Sequence, residues 1–373
     1  MSSPGFGSRV FLTGALSFVV TGMLAQLYGL AVPVYVQRFG LTDGGNILLS
    51  LHGLGAFVAV VAGLFWAPLL TLRRGLLAMA AGIGLLALQI SWPLILLGGI
   101  LGGVGFGMAA VVVNRQFLSE FAARGPGVLS IVNAVYGLGT IVSPILLIGA
   151  GGVPALVFAG MAVLALLAVP FVVPEQVGPH VPSGMPNLAQ WPLLILIFNS
   201  LGAVIEVGLV GLGPTTLLDA GLDSFAVARL ASAFSLCFLL GRLSLYWLTR
   251  WIGTDLLFLI ALLGTAASLG VAHAGLPSIG FVLSGLFAAM FFPIFYVWAI
   301  GVLGDARLGS AILCSGLAAV TACPVMLGFL LTFTGVDALF GLLSGLACIL
   351  ALGFVPTLLW ARRRMQAGPV LAL

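Results

Sequence analysis

One carboxylate in this sequence stands where a carboxylate is costly. Glu206 lies about fifteen residues into an apolar run that begins near Trp191. An ionisable side chain that deep in such a run costs about 2.5–3.5 kcal/mol on insertion scales. It reads as a proton carrier or a contact for a cationic ligand, or else as a structural carboxyl hydrogen-bonded to a neighbouring helix. Asn199 precedes it by seven residues, two helical turns, and shares its face. Asn133, Tyr136, Thr140 and Ser143 recur at intervals of three and four, a polar stripe down one helix face. Such stripes serve helix packing in membranes, but an Asn and a Tyr in one favour a cavity wall. Gln26, Tyr28, Asn114 and Tyr296 are the other binding candidates. Arg115, beside Asn114, either snorkels to the headgroups or faces an anion. His52 changes charge near neutral pH and joins Glu206 as a proton-coupling candidate; a lone His also serves as a hydrogen-bonded structural residue.

The elements that position these groups are long apolar helices. Of 373 residues 62% are hydrophobic and 6% are charged, where a soluble domain carries about 25% charged residues. Thirteen Arg and nine acidic side chains cannot clothe a water-facing surface of this size. A soluble enzyme, a disordered chain and a nucleic-acid binder are excluded together. Runs long enough to cross a bilayer fall at 10–36, 45–70, 75–91, 93–118, 126–149, 152–173, 191–218, 225–249, 254–273, 277–303, 309–334 and 336–360. Their continuous apolarity rules out a β-barrel. The expected fold is therefore an all-α membrane protein of twelve transmembrane helices. With both termini in the cytoplasm, eleven arginines, Arg73, Arg74, Arg242 and Arg250 among them, fall at cytoplasmic ends, and only Arg38 and Arg229 fall outside.

A Pro- and Gly-rich stretch divides the spans six and six. The expected organisation is a first six-helix bundle over 1–173, a cytoplasmic linker over 174–190, a second bundle over 191–361 and a short cytoplasmic tail over 362–373. The halves repeat at an offset near 180: Pro33 followed by Gly40-Leu41 against Pro214 followed by Gly221-Leu222, and Ser143-Pro144 against Cys323-Pro324. Two parallel six-helix repeats about an axis along the membrane normal are the plan of a major facilitator transporter, with its site near mid-membrane between the halves.

Within that superfamily the chain resembles the fucose–galactose–hexose permease branch. Span four reads GVGFGMAAVVVNRQ, similar to the branch's G-x-G-x-x-(E/D)-x-x-x-N, with Asn114 at the Asn. Span five reads NAVYGLGTIVSP, similar to its Q/H-x-x-(F/N)-G-x-G-x-x-x-x-P, so Asn133 matches a substrate-contacting position. Span seven reads EVGLVGLGPTTLLDAGLD, and span ten's FFPIFYVW resembles the branch's F-x-P element. The resemblance implies a cytoplasmic gating loop at Arg73 and Arg74, mirrored at Arg242 and Arg250. It also implies an acid in span one and another in span four; Gly29 and Ala110 stand there, and neither holds a proton.

Absences narrow the function. No Lys exists, so no G-x-x-x-x-G-K-[ST] phosphate loop does either, and an ATP-driven pump is excluded for this chain. No metal-ligand spacing, cofactor motif or catalytic triad is visible, so no cofactor, no metal and no enzyme activity are expected. The reading is a secondary active or facilitative transporter of a small organic solute, neutral or weakly cationic, working by alternating access with protons entering through Glu206. It is expected as a monomer in a bacterial inner membrane, with lipid and a small-molecule substrate as its partners and no nucleic acid. An exporter of amphiphilic compounds is the first alternative, and expects mostly Phe and Leu in the cavity. A transport-incompetent sensor or assembly partner is the second.

Overall fold

Glycine and proline close the helices at matched places in the two halves. Gly40 and Gly221 both sit at positive φ, 61° and 86°, a conformation that only glycine adopts without strain. Each lets the next residue's N–H turn back into the helix it ends: Leu41 donates to the Val36 carbonyl at 3.1 Å, Leu222 to the Leu217 carbonyl at 3.2 Å. These are equivalent C-terminal closures of the helices Pro4–Phe39 and Gln190–Asp219. Beyond the second closure, Asp223 starts the helix Ser224–Leu248 by accepting the Phe225 and Ala226 N–H groups, both at 2.9 Å. The Ala226 N–H above all, then Phe225's, holds the Asp223 carboxyl below its ordinary value.

The computed structural model describes residues 4–41, 45–66, 70–121, 125–173, 190–303 and 307–366. Most of the expected 174–190 linker and the last residues of the tail lie outside it. Among the described residues all regular structure is helical: α1 Pro4–Phe39, α2 Ile47–Phe65, α3 Leu72–Leu88, α4 Trp92–Phe121, α5 Gly125–Gly149, α6 Pro154–Ala168, α7 Gln190–Asp219, α8 Ser224–Leu248, α9 Thr254–His273, α10 Pro277–Ala288, α11 Phe291–Leu303, α12 Arg307–Thr334 and α13 Leu339–Gln366. Nine stretches among these residues are long and apolar enough to cross a membrane, and two shorter apolar helices accompany them.

Sequence reading expects one unbroken helix over 277–303; the structure breaks it between α10 and α11, at Ala289–Met290. Pro293 explains the break. It has no N–H for the Ala289 carbonyl, and its ring crowds that same carbonyl four residues back. Behind the break, Phe258, Phe295, Trp298 and Phe354 interlock with ring centroids 4.8–5.6 Å apart, inside the second half of the chain. The outward faces are apolar too: Phe333 is 73% and Leu352 74% exposed. Large apolar side chains displayed this openly belong against lipid.

The helices pack in two groups. In the first, α4 packs on α2 and α3, and α1 on α5 and α6; in the second, α10 packs on α8 and α9, and α7 on α12 and α13. The groups meet along α1 with α7, α2 with α12, and α5 with α8.

Candidate functional site

The three pairs form a seam toward the end where α1, α5, α7 and α12 finish. Small residues let the backbones touch there. A Cβ on Gly29 of α1 would overlap the Val210 carbonyl of α7, and one on Gly53 of α2 would lie 2.9 Å from the Thr321 Cα of α12. Two serines bridge the same seam beside kinking prolines. Ser50 Oγ of α2 accepts the Val325 N–H of α12 at 3.3 Å, next to Pro324. Ser232 Oγ of α8 donates to the Ile141 carbonyl of α5 at 3.0 Å, three residues before Pro144. A helix proline interrupts the backbone ladder, and a hydroxyl from a neighbouring helix can brace the chain beside it. Ser50 and Ser232 are 182 residues apart and Pro144 and Pro324 are 180 apart, so the bridges are related by the repeat.

Below the seam, α1, α5, α7 and α8 enclose a cavity of about 40 Å³, room for a few water molecules. Six of its twelve lining residues carry polar side chains: Gln26, Tyr136, Thr140, Glu206, Ser235 and Arg242. Glu206 Oε1 and an Arg242 guanidinium nitrogen stand 3.7 Å apart. Their side chains keep 30% and 31% of their surface accessible, so the pair is not sealed in the packing. The Arg242 Cζ lies 4.7 Å from the Phe238 ring centroid, one helical turn earlier on α8, a cation–π geometry. Across the seam, Ser235 Oγ donates to Gln26 Oε1 at 3.1 Å. Two donors of lining residues have no partner among the described residues: Gln26 Nε2 and Arg242 Nε, both buried.

The structure thus gathers Gln26, Tyr136 and Glu206 into one cavity. Arg242 joins them, which corrects its placement at a cytoplasmic loop. The expected span 225–249 already contains Arg242, and its loop placement comes from the resemblance alone; the helix runs on to Leu248, because Leu243 to Leu248 supply another apolar turn and a half before Thr249 and Arg250. That apolar continuation was the signal available in the sequence. Arg250 lies past the helix end, exposed, with its Cζ 4.4 Å from the Tyr246 ring centroid. Arg73 and Arg74 are exposed at the start of α3, where Thr71 caps the helix by accepting the Arg74 N–H at 3.3 Å.

Other candidates stand elsewhere. Tyr28 and His52 are buried inside the first group; the Tyr28 hydroxyl and His52 Nδ1 are 3.2 Å apart, with Phe158 and Phe106 against their rings. Asn114 is exposed on α4. Tyr296 stacks obliquely on Phe292 at 5.5 Å. The side chain of Asn133 lies outside the described residues. Ser143 is fully buried, its hydroxyl unpartnered. Asn199 turns away from Glu206 and ties α7 to α12, donating to the Ile312 carbonyl at 2.7 Å and to Ser315 Oγ at 3.0 Å. Asn199→Ala is therefore expected to lower thermal stability by about 1–2 kcal/mol while leaving solute affinity at the cavity unchanged; a melting curve with and without bound solute checks both.

In sequence, no family model and no curated protein matches this chain. Solved structures do match. A D-xylose–proton symporter superposes with a TM-score of 0.72, over 94% of this chain and 97% of its own, at 13% identity. A nucleoside transporter superposes at 0.70, over 93% and 99%, at 14% identity. The chain has the major facilitator fold. A POT family transporter in complex with 5-aminolevulinic acid gives 0.71, over 94% and 96%, at 15% identity. At these identities the shared property is the backbone path, and the cavity's side chains are this chain's own. Ser235 and Phe238, which orient Gln26 and cover Arg242, carry no sequence signal beyond sitting one turn apart on an apolar helix.

Proposed function

We propose that this protein is a secondary transporter that moves a small polar organic solute by alternating access across a bacterial inner membrane. α10 and α11 then count as one crossing, giving twelve, with both termini cytoplasmic and two six-helix bundles joined by the 174–190 linker. The seam closes the extracytoplasmic end. The observation that carries the reading is the convergence of six hydrogen-bonding side chains on a cavity between the two helix groups. An exporter of amphiphiles would be expected to line the same place with Phe and Leu. The Asn114 and Pro144 segments support a resemblance of the scaffold to the fucose–galactose–hexose branch. The reading involves no catalytic step, and the protein acts as a monomer.

Proton coupling belongs to the same proposal and rests on Glu206, the only acid among the described residues that line the cavity. In proteoliposomes, Glu206→Gln is expected to abolish accumulation driven by a pH gradient. Undiminished accumulation would remove Glu206 from coupling. His52, packed against Tyr28 away from the cavity, contributes to coupling only through the packing of α2; His52→Gln is the companion variant.

A further inference from the structure

The cavity's unpartnered donors define what should fill it. Gln26 is 1% exposed; its Oε1 is taken by Ser235, and its Nε2 has no acceptor. A buried donor left unmade is costly, so this amide is held in readiness for an acceptor. Arg242 Nε is in the same position. Phe238 covers a face of the guanidinium, so an acceptor can meet only its in-plane N–H groups. Glu206 does not satisfy them: 3.7 Å is well beyond the 2.7–2.9 Å of a charge-assisted hydrogen bond. A cation with in-plane donors, beside a second unpartnered donor, calls for a planar anion with two acceptor oxygens. Glu206, on the other wall, calls for a donor or a cation.

We propose that the cavity binds a small zwitterionic amino monocarboxylate, its carboxylate held by Arg242 and Gln26 and its ammonium directed to Glu206. Arg242 and Glu206 offset each other, so a zwitterion keeps the filled site neutral. A neutral polyol would leave the guanidinium fork without a paired-oxygen acceptor, and a simple amine would leave Gln26 Nε2 without an acceptor. The inference rests on the transporter reading and gives it a substrate class.

The test is ligand-induced thermal stabilisation of the full-length protein in lipid nanodiscs. The probes are glycine, β-alanine and 4-aminobutyrate, which vary the spacing of the two charges. Glycinamide, propionate, D-xylose and uridine are the controls. At least one amino monocarboxylate is expected to raise the melting temperature saturably, with glycinamide and propionate at least about tenfold weaker. Arg242→Lys, which keeps the charge and loses the fork, is expected to weaken that response by about tenfold. Gln26→Leu combined with Ser235→Ala is expected to lose it while the ligand-free protein melts no lower, because no orphaned amide remains; a purely structural Gln26 would instead cost stability. If D-xylose or uridine stabilises the protein and no amino monocarboxylate does, the substrate class is overturned and the transporter reading stands. If no probe stabilises it, the class is again overturned. The transporter reading is then decided separately, by whether cysteines placed along the seam become alternately accessible.

Discussion

Neutralising one member of the Glu206–Arg242 pair is expected to cost both stability and transport; neutralising both is expected to return the stability alone. Removing one partner of a buried ion pair costs about 3–5 kcal/mol, because the survivor is left charged and unpaired. Here each side chain keeps nearly a third of its surface accessible, so the solvated cavity reduces that to about 1–3 kcal/mol. Arg242→Gln and Glu206→Gln should each fall in this range, with Glu206→Gln the worse, since the surviving guanidinium cannot lose its proton whereas a surviving carboxyl can take one up. The double variant removes both charges and should melt within about 1 kcal/mol of the parent, as buried pairs replaced by uncharged groups commonly do. Transport should stay down about a hundredfold in all three, because an interaction of about 1.5–3 kcal/mol with the solute has gone. The measurement is a double-mutant cycle in melting temperature and in proteoliposome flux. Recovery of flux by the double variant would show that the pair only holds α7 to α8 and does not meet the solute.

How far such a site is legible in the sequence follows from what burial looks like inside a membrane. Apolar runs marked the helices, and the spacing of Pro33 and Gly40 against Pro214 and Gly221 marked the repeat, because proline and glycine constrain the backbone whatever surrounds them. Glu206 and Gln26 stood out as polar groups far from any interface. Periodicity, however, separates a lipid-facing side chain from a protein-facing one and goes no further. Tyr28 and Gln26 both face protein, two residues apart on α1; one faces its own bundle and the other faces α8. Asn199 and Glu206 share a helix face, yet Asn199 meets α12 and Glu206 meets α8, because neighbouring helices cross that face at different heights. Arg242 was hidden by a different cause. Arg242 lay inside the expected span 225–249, but the loop pattern that the resemblance implies placed it at the cytoplasmic end, and the span, not the pattern, is what the helix follows. The break at Ala289–Met290 was implicit in Pro293, but a kink and a break look alike in sequence.

The seam supports the second large prediction. Gly29→Ala and Gly53→Ala are each expected to hold open the end that the seam closes. In Gly29→Ala the new methyl would overlap the Val210 carbonyl; in Gly53→Ala it would press on the Thr321 backbone at 2.9 Å. Neither backbone can yield without separating α1 from α7 or α2 from α12. Overpacking of this kind costs about 1–3 kcal/mol, and it is charged only to the closed arrangement, since the helices part in the other. A two-state equilibrium therefore shifts by about tenfold or more per substitution. Gly160→Ala is the matched control: it makes the same chemical change on α6, where a Cβ meets nothing within 4 Å. The readout is labelling by a membrane-impermeant thiol reagent at Val34→Cys or Leu218→Cys, which line a crevice between α1, α5, α7 and α8 in the seam, after the four native cysteines are replaced. Labelling should rise about tenfold with Gly29→Ala or Gly53→Ala and stay at the parental rate with Gly160→Ala. Equal labelling in all of them would mean that the two helix groups do not part along this seam, and the alternating-access reading would lose the surface on which it turns.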